Sequence, residues 1–178
     1  TYVIDFEKLY KEGIRGVIFD IDNTLVPHGA PADPEAVRLF QQLRDIGFSC
    51  CLVSNNRKKR VEPFAASVGA QFIEMAAKPS RKGYERAMER LGTNTGNTVF
   101  IGDQLFTDIW GAKNAGLRNI LVKPINPKEE IQIVMKRAGI RTILVKPIHP
   151  KEEIQIVLKR YLEKIVLYFY QKEEGKNS

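Results

Sequence analysis

The chain has 178 residues, 43% of them hydrophobic and 28% charged, a balance that fits one domain with a sizeable core and excludes a disordered polymer. No stretch nears the roughly 20 consecutive apolar residues of a membrane-spanning helix. The net charge of +7 is uneven: residues 1–117 carry 15 Lys+Arg against 14 Asp+Glu, whereas residues 118–178 carry 13 against 7, so the basic character belongs to the C-terminal third.

A first helix is expected over 5–12. "GVIFD" then reads as a strand buried on both faces, because its apolar residues do not alternate with polar ones. After a Pro-rich loop, Asp33 and Pro34 are an N-cap and first-turn pair, and Gly47 ends the helix they open. "FSCCLVS" is a second apolar strand, "RVEPFAASVG" a helix closing on Gly69, and "QFIE" a short third strand. The next helix is expected to be capped by Ser80 and stopped by Gly92. "TVFIGD" is a fourth strand, "LFTDIWGAKNAG" a helix and "NILVKP" a fifth strand. Regular alternation of strand and helix implies a three-layer, doubly wound α/β fold with a parallel sheet of five or six strands. Cys50 and Cys51, adjacent in a strand, should point to opposite sheet faces as free thiols in a reducing cytoplasm. No secretory leader is visible. The chain starts at Thr1 rather than Met, which leaves open whether residues precede it.

Ligands of such sheets bind at the carboxyl ends of the strands, and polar residues gather there. The first strand ends in Asp20 and Asp22, the second in Ser54, Asn55 and Asn56, and the fourth in "GDQLFTD" with Asp103 and Asp108; Lys78 follows the third. Asp20, Asp22 and Asp103 crowded together call for a cation, and oxygen ligands without His or Cys favour Mg2+. The lysine and the exposed amides of the Ser54–Asn55 turn suit phosphoryl oxygens. One carboxylate can act as nucleophile, and a second, two residues on, as general acid and base.

These residues resemble a known family. "DIDNT", "SNN", the lysine of "AAKP" and "GDQLFTD" match, in order, the four motifs of the haloacid dehalogenase-like phosphatases. The wording is most similar to subclass IIIA, the YqeG-type phosphatases and their mitochondrial phosphatidylglycerophosphate phosphatase relatives. The resemblance covers roughly residues 5–123 and implies a Mg2+-dependent phosphomonoester hydrolase working through an aspartyl phosphate. It implies Asp20 as nucleophile and metal ligand, and Asp22 as acid/base that also lends its carbonyl to the metal. Thr24 would steady the loop, Ser54, Asn55 and Lys78 would hold phosphate, and Asp103 and Asp108 would complete the metal site. A plain first-turn helix position is the alternative for Asp108.

The gaps between motifs hold a helix and a strand each and leave no room for a cap domain. An uncapped site suits a phosphate presented on something large, such as a lipid head group, or one enclosed by a neighbouring subunit. The basic run "RKKR" at 57–60 reads either as a solvated surface or as an attraction for an anionic surface beside the site. His28 reads as an exposed loop residue. Residues 1–123 form the expected core and 124–178 a C-terminal part of the same domain. Residues 115–137 recur at 138–160 with 19 of 23 positions identical, each copy a strand and a helix. Copy one should supply the fifth strand, with Asn126 capping its helix. Copy two should add a sixth strand, pack outside the sheet or exchange with a partner chain. The tail is an amphipathic helix that docks on the sheet or rests on anionic lipid. The expectation is therefore a cytoplasmic enzyme with a phosphorylated substrate and peripheral membrane contact. The rival, drawing on the basic C-terminal third, is an RNA- or protein-binding module on an inherited phosphatase fold.

Overall fold

Residues 1–126 are described in the computed structural model. Five parallel strands form one sheet: β1 (Gly16–Phe19), β2 (Ser49–Val53), β3 (Gln71–Ile73), β4 (Thr98–Gly102) and β5 (Arg118–Leu121), in the order β3-β2-β1-β4-β5. The order reverses direction at β1. The carboxyl ends of β1 and β4, which are direct neighbours, therefore open on one crevice. Registers keep those ends level: Phe19 pairs with Leu52 on one side and Ile101 on the other.

The pleat sorts side chains between two cores. Val17, Phe19, Leu52, Val99 and Ile101 pack against α1 (Phe6–Lys11), α2 (Pro34–Ile46) and α3 (Lys58–Val68). Ile18, Cys51, Val53, Ile73 and Phe100 pack against α4 (Lys82–Leu91) and α5 (Gly111–Asn114). Alternate residues of one strand thus serve opposite layers, which explains the unbroken apolar runs. The adjacent cysteines divide the same way, Cys50 half-buried toward the first core and Cys51 buried in the second. Burial pushes both thiols up to about 12, so neither is a thiolate at neutral pH.

Helix boundaries follow their capping residues. Asp33 accepts the Ala36 amide at 2.8 Å, Pro34 occupies the first position, and Gly47, at φ 107°, closes α2. The cap of α4 differs from expectation. Arg81 stands at the N-cap without a capping bond, its side chain pairing with Glu85 at 3.0 Å, while Ser80 lies one residue earlier in a turn, its amide donating to the Ala77 carbonyl at 2.9 Å. The segment expected as one helix after β4 is a π-helical turn, Leu105–Trp110, running into α5. β5 lies within the first repeat copy. The helix of that copy, all of copy two and the amphipathic tail lie outside the described residues. No inserted domain interrupts the motifs among the described residues, and no helix there is long and apolar enough to cross a membrane.

Candidate active site

Asp20 is the first residue past β1, and its amide still bonds Ile101 at 3.0 Å, so the sheet ladder fixes its position. Asp103 is the first residue past β4. Asp108 reaches the same place from the π-helical turn. One carboxylate oxygen from each of the three lies within 4.8 Å of the others, and all three residues are buried. Lys78, from the loop after β3, enters this group: Nζ donates to Asp20 Oδ1 and to Asp108 Oδ1, both at 2.6 Å. Asp108 also accepts the Gln104 amide at 3.0 Å on its other oxygen, which shuts the π-helical turn over it. Asp108 is the acidic residue of the first turn of that helix and is at the same time wholly buried and paired with Lys78, so the two readings of it coincide.

Three carboxylates meet one ammonium in this group, and its proton affinities reflect that. Burial pushes Asp20 up to about 7, with Asp108 and Asp103 adding to the rise and Lys78 opposing it. Burial alone would lower Lys78, but Asp108 and Asp20 outweigh it and hold the ammonium charged. Negative charge is in excess here, three carboxylates to one ammonium. The donor set is all oxygen, with no His or Cys in the group, which fits a hard divalent cation better than zinc.

Neighbouring residues set these groups from behind. Thr24 Oγ1 donates to Asp103 Oδ1 at 2.8 Å, tying the loop after β1 to the end of β4. Asn23 bends that loop at φ 63°, a conformation asparagine tolerates better than most residues. Tyr84 of α4, buried, donates to the carbonyls of Thr107 at 2.7 Å and Asp108 at 3.2 Å, so the helix after Lys78 props the turn that carries Asp108. Ser54, buried at the end of β2, accepts the Asn56 amide at 3.1 Å. Asn55, expected at the phosphate, uses its side chain on the main chain of Lys78: Oδ1 accepts the Lys78 amide at 2.7 Å and Nδ2 donates to its carbonyl at 3.2 Å.

Asp22 corrects one expectation. Its carboxylate does not crowd against Asp20 but turns to another set of partners: the Gly29 amide at 2.9 Å, Arg60 Nη2 at 2.8 Å and Asn56 Nδ2 at 2.6 Å. The strand ends at Phe19, and the amides of Thr24, Leu25 and Val26 all fold back on the Ile21 carbonyl, so the two-residue periodicity of a strand no longer applies. His28 Nδ1 stands 3.9 Å from the same carboxylate. Arg60 and Asn56 are the partners that sequence reasoning missed. A signal existed for Arg60, which sits one helical turn before buried Phe64 and so flanks the inward stripe of α3.

Comparison with known proteins supplies an independent line. A family model described as haloacid dehalogenase-like hydrolase matches residues 28–116, a span that starts downstream of Asp20 and Asp22. The chain is 38% identical over 120 residues to the "Probable phosphatase YqeG" of Bacillus subtilis (strain 168), covering 67% of this chain and 70% of that protein. It is 26% identical over 141 residues to phosphatidylglycerophosphate phosphatase 1, chloroplastic/mitochondrial, of Arabidopsis thaliana, covering 74% of this chain but only 40% of the plant protein. Among solved structures, NagD from E. coli K-12 shares the fold with a TM-score of 0.53 at 16% identity, over 66% of this chain and 91% of its own.

Proposed function

Because the chain belongs to the haloacid dehalogenase-like hydrolases, we propose that it hydrolyses phosphate monoesters, with Asp20 as nucleophile and Asp22 as general acid and base. The observation that carries this reading is the buried group itself: Asp20, Asp103 and Asp108 within 4.8 Å of one another, with Lys78 Nζ 2.6 Å from two of them. Mg2+ is the ion that would suit this group; the carboxylates of Asp20, Asp103 and Asp108 would hold it, with the Asp22 carbonyl as the further ligand that the family resemblance implies. Once bound, it neutralises charge on the phosphoryl oxygens.

In the proposed reaction, an Asp20 oxygen attacks phosphorus and the ester oxygen leaves with a proton from Asp22. Asp22, now a carboxylate, takes a proton from the water that attacks the aspartyl phosphate, releasing inorganic phosphate and restoring Asp20. The Lys78 ammonium and the Ser54 hydroxyl hold the phosphoryl oxygens. Thr24 keeps Asp103 in place, and Asn55 keeps the lysine loop against the end of β2. With no inserted domain among the described residues, the substrate is a phosphate presented on a large molecule or a membrane surface. Phosphatidylglycerophosphate is the candidate, drawn from the name of the Arabidopsis relative. The rival binding-module reading rests on the basic C-terminal third, most of which lies outside the described residues.

Asp20→Asn tests the assignment. It should cut phosphate release by at least about 10³-fold on any ester the wild type accepts, while far-UV circular dichroism stays native. Turnover at the wild-type rate would remove Asp20 from the role.

A further inference from the structure

Four basic residues in a row follow the turn at the end of β2, and three behave as a solvated run. Arg57, Lys58 and Lys59 are exposed, and Lys58 pairs with Glu62 one turn along α3 at 3.3 Å. Arg60 does not follow them. Its side chain is only 22% exposed and lies over the Phe64 ring, 5.5 Å from the centroid. Nη2 donates to Asp22 Oδ1 and to the Ala30 carbonyl, both at 2.8 Å. Its Nε is buried with no hydrogen-bond partner among the described residues. Burying a donor without an acceptor is unfavourable, so packing convenience does not explain the inward turn. The attraction to Asp22 and to the loop beside it does.

We infer that Arg60 is a positioning residue for Asp22, which it holds together with Asn56. The inference deepens the proposed function and rests on Asp22 being its acid and base. A carboxylate that must deliver a proton has to stand within hydrogen-bond reach of the leaving oxygen, and a short side chain on a loop has little to hold it there. Here the loop is fixed at two points: Arg60 grips the carboxylate and the Ala30 carbonyl together, and the Gly29 amide bonds the same carboxylate oxygen. Asn56 takes the other oxygen from the turn next to Ser54. Asp22 is thereby referenced to the turn that receives the phosphate rather than to the strand that carries Asp20.

Leaving-group chemistry separates positioning from mere support. The p-nitrophenolate of p-nitrophenyl phosphate departs without help, whereas the alkoxide of glycerol 1-phosphate must be protonated as it leaves. The ratio kcat/KM reports the steps up to that departure. In the full chain with Mg2+, Arg60→Ala should lower kcat/KM about 10- to 100-fold for glycerol 1-phosphate and less than about 3-fold for p-nitrophenyl phosphate. The first loss reaches only the lower end of the roughly 10²–10⁴-fold that a general acid contributes, since a misplaced acid keeps part of its effect. Equal losses on both esters, or no loss on the alkyl ester, would overturn the positioning role. Should Arg60→Ala not fold, Arg60→Gln, which keeps the stem as far as Cδ and a donor but is shorter and uncharged, decides by the same comparison. A wild type that releases phosphate from neither ester nor from phosphatidylglycerophosphate in vesicles, or an Asp20→Asn variant as active as wild type, refutes the phosphatase reading itself, and this inference with it.

Discussion

Replacing Lys78 by methionine keeps the aliphatic stem and removes only the ammonium. That ammonium sits 2.6 Å from Asp20 and 2.6 Å from Asp108, with side-chain exposures of 5% for the lysine and 8% and 0% for the two aspartates. Removing one partner of a buried pair costs about 3–5 kcal/mol, since the charge left behind stays out of water. The site has one way to relieve this, which is to protonate Asp20. In the wild type burial already holds that group near 7, far above the ordinary 3.8. An acid raised in the folded state binds more protons folded than unfolded. Its contribution to stability is therefore complete below about 3.8 and is lost as pH rises through about 7. The slope is at most about 1.4 kcal/mol per pH unit. Without Lys78 the rise goes further and the window extends into the alkaline range. Lys78→Met should thus lose about 3–5 kcal/mol at pH 8 and about 1–2 kcal/mol less at pH 6. Urea unfolding of metal-free protein in EDTA measures this, followed by circular dichroism and by Trp110, the one tryptophan in the sequence. Equal losses at the two pH values, or a loss below about 1 kcal/mol at pH 8, would refute the electrostatic account.

Three further outcomes follow from the same geometry. Mg2+ should raise the melting temperature of the wild type, by about 2.7 kcal/mol of stabilisation at a hundredfold excess over its dissociation constant, and Asp103→Asn should weaken that response in calorimetry. Thr24→Val removes the donor 2.8 Å from Asp103; a loss of about 1–3 kcal/mol in urea unfolding is expected, with kcat falling more than KM rises. Gly102→Ala places a Cβ 2.5 Å from Asp108 Oδ2, so Asp108 must move. Phosphate release should drop at least about 10-fold and stability by about 1–3 kcal/mol, whereas an active, stable variant would show that Asp108 has room.

The strands and the first long helix were legible because their signals are local. "GVIF" and "TVFIG" are apolar throughout since both sheet faces are covered, and Asp33, Pro34 and Gly47 mark both ends of α2. The set of residues at the strand ends was legible too, because a parallel sheet brings all its carboxyl ends to one rim. What stayed hidden depends on partners far along the chain. Lys78 meets Asp108 across 30 positions, and Arg60 meets Asp22 across 38. Helical spacing in α3 can turn Arg60 inward, but nothing within either segment names the distant partner. Ser80 has the side chain of a cap, but the turn that carries Lys78 into the site takes its backbone first. The spacing of Asp20 and Asp22 suggested two carboxylates on one face, and a tight loop one residue past the strand undid that.

The wide turn of Leu105–Trp110 bears on how this chain tolerates change in length. A π-helical turn holds one residue more than an α-helical turn. Deleting a single residue there would take away the extra residue that lets the wide turn span from the end of β4 to the Tyr84 brace, so either Asp108 or the brace would have to give. With Tyr84 bracing the carbonyls from below, Asp108 could not be wound back toward Lys78. Insertions and deletions should therefore be purged from this segment even where substitutions pass.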